Sequence, residues 1–80
     1  MNITIEDIQK DLRSENENDA YYYDALNETG YHVHVDDNFK PVSFVRRTKD
    51  ALSKIDEQEF VSGVNGACGN AVSANNYYEL

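Results

Sequence analysis

The chain has one cysteine, Cys68, one proline, Pro41, and no tryptophan among its 80 residues. A lone cysteine excludes an intrachain disulfide, so the fold must stand on its core alone; the same scarcity fits a reducing compartment, and a cytoplasmic location is expected. No stretch approaches the ~18 consecutive apolar residues of a membrane-spanning helix. The opening MNITIEDIQK lacks the basic and apolar stretches of a signal peptide, so none is expected, and the sequons at Asn2 and Asn27 are then chance matches. There is no glycine-rich phosphate loop, no CxxC pair and no nucleophile elbow, which leaves an enzyme as the least favoured class and implies no cofactor. A chain this short buries roughly 60 to 70% of its unfolded surface and has material for one core only, too little for a deep active site.

Bases are also scarce. Fifteen Asp and Glu against seven Lys and Arg give a formal charge of −8, which repels nucleic acid and anionic lipid. Neither direct nucleic-acid binding nor a membrane is expected; the partner that fits is a protein with a basic surface. The charge is uneven: residues 1–39 hold ten acids and two bases, residues 40–60 four acids and five bases, and residues 61–80 only Glu79. The uncharged end, rich in Gly, Ala, Ser and Asn, marks a composition shift. It divides a compact acidic domain, residues 1–62, from a C-terminal segment, residues 63–80, packed on the domain or flexible.

Local signals predict an α+β domain in the order helix, helix, β-hairpin, helix, followed by a loosely packed Gly/Asn-rich segment. Thr4 and Asp7 form a capping box, Ile3 and Ile8 a hydrophobic staple, and Ile5, Ile8 and Leu12 share the inner face of a helix over 4–13. Asn18 or Asp19 can cap a second helix through AYYYDALNET, with Tyr22, Ala25 and Leu26 inward and Gly30 ending it. A strand over 20–26 competes, because tyrosine suits strands. YHVHV alternates, placing Tyr31, Val33 and Val35 on one face and His32 and His34 on the other; after the turn signal DDNFK, PVSFVRR pairs back, with Pro41 suited to an edge. Thr48 is the expected cap of a third helix that packs Leu52, Ile55 and Phe60 inward and ends near Gly63. Asn65-Gly66 signals a hairpin turn in the tail.

Most candidate chemistry has an ordinary explanation. His32 and His34 share a face that Asp36 continues, a spacing that metal sites use, but a third ligand is missing apart from Cys68, so no metal is expected. Cys68 has Gly, Ala and Asn as neighbours, not the electropositive pocket of a reactive thiolate. Asp36 and Asp37 are adjacent and read as turn residues. Arg46, Arg47 and Lys49 balance neighbouring acids.

The stretch ENENDAYYYD, residues 15–24, combines carboxylates with consecutive tyrosines and is the candidate contact surface. On a helix, Asp11, Glu15, Glu17, Asp19, Asp24 and Glu28 would present carboxylates at spacings comparable with the ~7 Å between phosphates along a strand. Tyr22 is the tyrosine assigned to the core; Tyr21 or Tyr23 stays exposed as a large, stiff contact residue. Asp36 and Asp37 add to this surface. In size, acidity and tyrosine content, residues 1–39 above all, the chain looks like the small inhibitors of phages and plasmids, such as anti-restriction and anti-CRISPR proteins. That compositional likeness carries no residue-level assignment. It implies a non-enzymatic protein that occupies the basic nucleic-acid-binding surface of a protein complex. An antitoxin or immunity protein shares this composition.

DEQEFVSGVNGA, residues 56–67, resembles the end of a double-glycine leader, with Val61 and Val64 spaced towards a Gly66-Ala67 step, although Phe60 stands where an acid is common. That resemblance implies a precursor whose leader, residues 1–67, is bound by a maturation enzyme and whose core, residues 68–80, is modified at Cys68 or Ser73.

Overall fold

A computed structural model describes residues 3–66 and, as backbone, residues 71–73. The elements are α1 (Ile5–Glu15), β1 (Asp19–Asp24), β2 (Thr29–Val35), β3 (Pro41–Arg47), β4 (Leu52–Ile55), α2 (Glu57–Gly66) and β5 (Ala71–Ser73). The strands form an antiparallel sheet in the order β4-β3-β2-β1-β5. Both helices pack their apolar residues on one side of it, so the domain is α+β.

α1 starts where its cap dictates. The Thr4 hydroxyl accepts from the Asp7 amide at 3.2 Å and the Asp7 carboxylate accepts from the Thr4 amide at 2.9 Å, satisfying two donors that a helix start leaves orphaned. Those hydrogen bonds hold the Asp7 carboxyl below its usual range. Asn16 ends the helix in the left-handed region, φ 55°, which asparagine tolerates.

The expected second helix is a strand. Asn18 caps nothing; its side-chain amide donates to the Val35 and Asp36 carbonyls, each at 3.1 Å, and its carbonyl accepts from the Val35 amide at 2.8 Å. These bonds open the β1–β2 ladder, and strand-favouring tyrosines continue it. Gly30 is not a helix end but lies in β2, opposite Tyr23. Ala25 and Leu26 lie in the exposed β1–β2 turn, with Leu26 77% exposed where an inward position was expected.

The hairpin forms as expected, with a bulge: His34 pairs with Ser43 but Val35 with Pro41, so Val42 is the extra residue. β3 is an inner strand, yet β4 reaches only Phe44–Arg47, and Pro41 lies beyond it, where no β4 carbonyl needs its missing N–H. Thr48 makes the bond expected of a cap, its hydroxyl accepting from the Ala51 amide at 3.2 Å, but in a turn whose Thr48 amide also bonds the Ala51 carbonyl at 2.9 Å. β4 follows instead of a helix, and Leu52 is exposed. Asp56 is the actual cap of α2, its carboxylate accepting from the Glu59 amide at 2.8 Å.

α2 runs through the position 62–63 division and past Gly63 to Gly66, so Asn65-Gly66 ends a helix instead of turning a hairpin. The expected packing of the tail otherwise lies outside the described residues, except that Ala71–Ser73 pairs with Tyr22–Asp24. Phe60, fully buried, centres the core. Phe44 tilts against it at 5.1 Å between centroids, and Tyr22 and Tyr31 meet it edge-on at 6.1 and 6.3 Å. Ile8, Leu12, Val33, Val35 and Val64 complete it; each such side chain contributes about 1.5–3 kcal/mol when buried. Among the described residues no helix is long and apolar enough to cross a membrane.

Candidate functional site

Strand alternation sorts the tyrosines. Tyr22 turns inward onto Phe60, while Tyr21 lies opposite His32 and Tyr23 opposite Gly30 on the other face. Burial, and then the charges of the two α1 carboxylates Asp11 and Glu15, push the Tyr22 hydroxyl up to about 12. The two carboxylates lie four residues apart, ~6 Å along the helix axis. The expected helical spacing of carboxylates therefore applies to α1 alone, since residues 17–28 are not helical.

The outer face of the sheet carries Asp19, Tyr21 and Tyr23 from β1, His32 and His34 from β2, and Ser43, Val45 and Arg47 from β3, as the register aligns them. Its centre is a cluster. His32 Nε2 and His34 Nδ1 each lie 2.8 Å from the same Asp19 oxygen, Oδ1; a carboxylate only accepts, so both ring nitrogens carry the hydrogen. The Tyr21 ring stacks on His32 at 4.6 Å and 9°. Desolvation raises the Asp19 carboxyl, but the two imidazole hydrogen bonds outweigh it and hold the group below its ordinary value.

The partner of the two histidines is therefore Asp19, not Asp36. Asp36 turns away to close the β2–β3 turn, its Oδ1 accepting from the Asn38 and Lys40 amides at 2.8 and 3.0 Å. The alternation of YHVHV and a strand reading of residues 20–26 signal that the two tracts can pair, but the register that sets Asp19 opposite His34 comes from the fold. Among the described residues no group of three or more His, Cys, Asp or Glu is arranged to hold a metal ion; Cys68 lies outside them.

The remaining sequence candidates divide. Asp24 is 3% exposed and its carboxylate accepts from the Asn27 amide at 3.3 Å and side chain at 2.8 Å, so it builds the β1–β2 turn and is withdrawn from any contact surface. Glu28, at φ 50°, pairs with Lys49 at 3.1 Å at the opposite end of the sheet from Asp19. Asp11, Glu15, Glu17 and Asp37 are exposed, and their side chains make no hydrogen bond or ion pair among the described residues.

Topology, more than sequence proximity, gathers the acids. The Asn18 bonds tie the segment holding Glu15, Glu17 and Asp19 to the end of β2, where Asp36 and Asp37 follow. Arg46, Arg47 and Lys49 lie at the other end, with Arg46 reaching Glu59 at 3.8 Å. Comparison of the chain with protein-family models, curated proteins and solved structures finds no match.

Proposed function

We propose that this protein is a small non-enzymatic binding protein whose acidic end occupies a basic, nucleic-acid-binding surface of another protein. The observation that carries the reading is the tie from Asn18 to Val35 and Asp36, which sets Glu15, Glu17 and Asp19 beside Asp36 and Asp37 at one end of the sheet. Like charges gathered this way cost stability through self-repulsion, and a cationic partner would relieve it. The attraction acts over about 8 Å at physiological salt. A phage- or plasmid-type inhibitor of a defence complex is the role that best fits such a surface.

Proteins of the source cell held on immobilised double-stranded DNA provide the test. At low salt the protein should release a specific component from the DNA, and the Glu15→Lys/Glu17→Lys/Asp37→Lys variant should not. Equal release by both, or by neither, overturns the proposal. The alternative is a precursor in which residues 68–80 are a separable core; among the described residues, the backbone of Ala71–Ser73 is paired with β1.

A further inference from the structure

We propose that Asn65-Gly66 is a site of spontaneous covalent modification guarded by the fold, at which loss of ammonia releases the end of α2 from the start of α1. It is the one Asn-Gly pair in the sequence. Asparagine is among the chemically labile residues, and a following glycine, lacking Cβ, lets its backbone nitrogen approach the side-chain amide closely. The modification needs no partner and stands apart from the proposed function.

The step consumes only water. The Gly66 nitrogen gives up its proton and attacks Cγ of Asn65; the Cγ–Nδ2 bond breaks, and Nδ2 takes up a proton and leaves as ammonia. Water then opens the resulting cyclic imide. Opening at Cγ gives aspartate, and opening at the main-chain carbonyl of residue 65 gives isoaspartate, with the chain rerouted through Cβ.

Two restraints hold the reacting atoms apart in the fold. The Asn65 side chain is clasped to Ile3 through both of its polar atoms, Oδ1 accepting at 2.7 Å and Nδ2 donating at 2.9 Å. Gly66 belongs to α2, where each N–H is directed at the carbonyl four residues back, here that of Ser62. Reaction therefore runs through opening of the last helical turn, where helices fray most readily. Neither packing nor backbone demands glycine here: a Cβ on Gly66 would meet nothing within 4 Å, and its φ lies outside the left-handed region.

The product cannot close the clasp again. At neutral pH either carboxylate only accepts, so the Ile3 carbonyl loses the donor that Nδ2 supplied. The new charge also stands in the last turn of α2, which holds no basic residue, at the negative end of the helix dipole. It adds to a formal charge already at −8.

The test follows the full-length chain by intact mass and peptide mapping during incubation at mildly alkaline pH, both folded and in urea. The parent should gain the mass of one deamidation at Asn65, at least about tenfold faster in urea than folded. Gly66→Ala, for which the structure has room, should suppress the gain in both conditions. Ile3→Pro removes the N–H that Oδ1 accepts from, and should speed the folded reaction while leaving the rate in urea unchanged. Because Ile3 also packs against the core, amide hydrogen exchange on fresh and aged parent chain gives a reading that needs no variant: exchange at residues 61–66 should quicken in the modified chain. Equal rates folded and in urea, no modification at Asn65, or unchanged exchange after it would each overturn the proposal.

Discussion

Asn65 holds Ile3 by both of its backbone polar groups: its Oδ1 accepts from the Ile3 amide at 2.7 Å and its Nδ2 donates to the Ile3 carbonyl at 2.9 Å. The last turn of α2 is thereby fastened to the residue that precedes the cap of α1. Asn65→Asp keeps the acceptor and loses the donor, leaving a part-buried carbonyl unpaired, and Asn65→Ala loses both. Urea unfolding should show a loss of about 1–3 kcal/mol, larger for Ala. An unchanged midpoint in both variants would show the clasp to be idle.

A second close approach sets the helix-to-sheet distance. A Cβ added at Gly63 would stand 2.5 Å from Cε1 and Cζ of Tyr31 and 2.6 Å from its hydroxyl, and Tyr31 is buried, so its ring has little room to retreat. Gly63→Ala should cost about 1–3 kcal/mol through overpacking. In a double-mutant cycle with Tyr31→Leu the two losses should fall short of additive, since the smaller side chain vacates the clash. Additivity would place the cost elsewhere.

The raised Tyr22 hydroxyl makes the fold sensitive to base. With a folded value of about 12 against an ordinary 10.0, the unfolded chain ionises first as pH rises. The associated stability is intact below about pH 10 and is lost between there and about pH 12, on the order of 2 kcal/mol. Tyr22→Phe should flatten that decline, read as the difference in unfolding midpoint near pH 8 and pH 11. A decline of the same size in Tyr22→Phe would assign it to other groups.

The sequence was most readable where one local signal had no competitor. The Thr4–Asp7 box and the alternation of YHVHV each fix backbone geometry within a few residues, and both elements stand as expected. Residues 20–26 carried helix and strand signals together; the long-range bonds from Asn18 to Val35 and Asp36 decided it, and nothing local encodes them. Thr48 shows a subtler ambiguity, because a hydroxyl bonded to an amide three residues on serves a turn as well as a helix start. The Asp19 cluster was hidden for the same reason as β1, since its members meet only once the register is known.

That register also makes Asp19 testable. Although desolvation raises its carboxyl, the bonds from His32 and His34 leave it below the ordinary 3.8, so its contribution to stability is present above that value and is lost as pH falls through the folded one. His34→Ala removes one donor and should move the Asp19 titration, followed by carboxyl ¹³C shifts, upward. An unmoved midpoint would mean that the shared hydrogen bond does not persist in solution.

The acids of the first half should separate into those that build the fold and those that do not. Asp24, buried and bonded twice to Asn27, anchors the β1–β2 turn, and Asp24→Ala should cost about 1–3 kcal/mol by stranding those donors. Glu17→Lys and Asp37→Lys break no bond among the described residues and should stay within about 0.5 kcal/mol of the parent. At low salt the lysine variants should gain slightly, because each reduces the repulsion gathered at the acidic end, and the gain should fade as salt is added. Thermal melts across ionic strength distinguish the outcomes. A lysine variant as damaging as Asp24→Ala would mean that the exposed acids are structural, leaving the fold, not a partner, to explain why they are there.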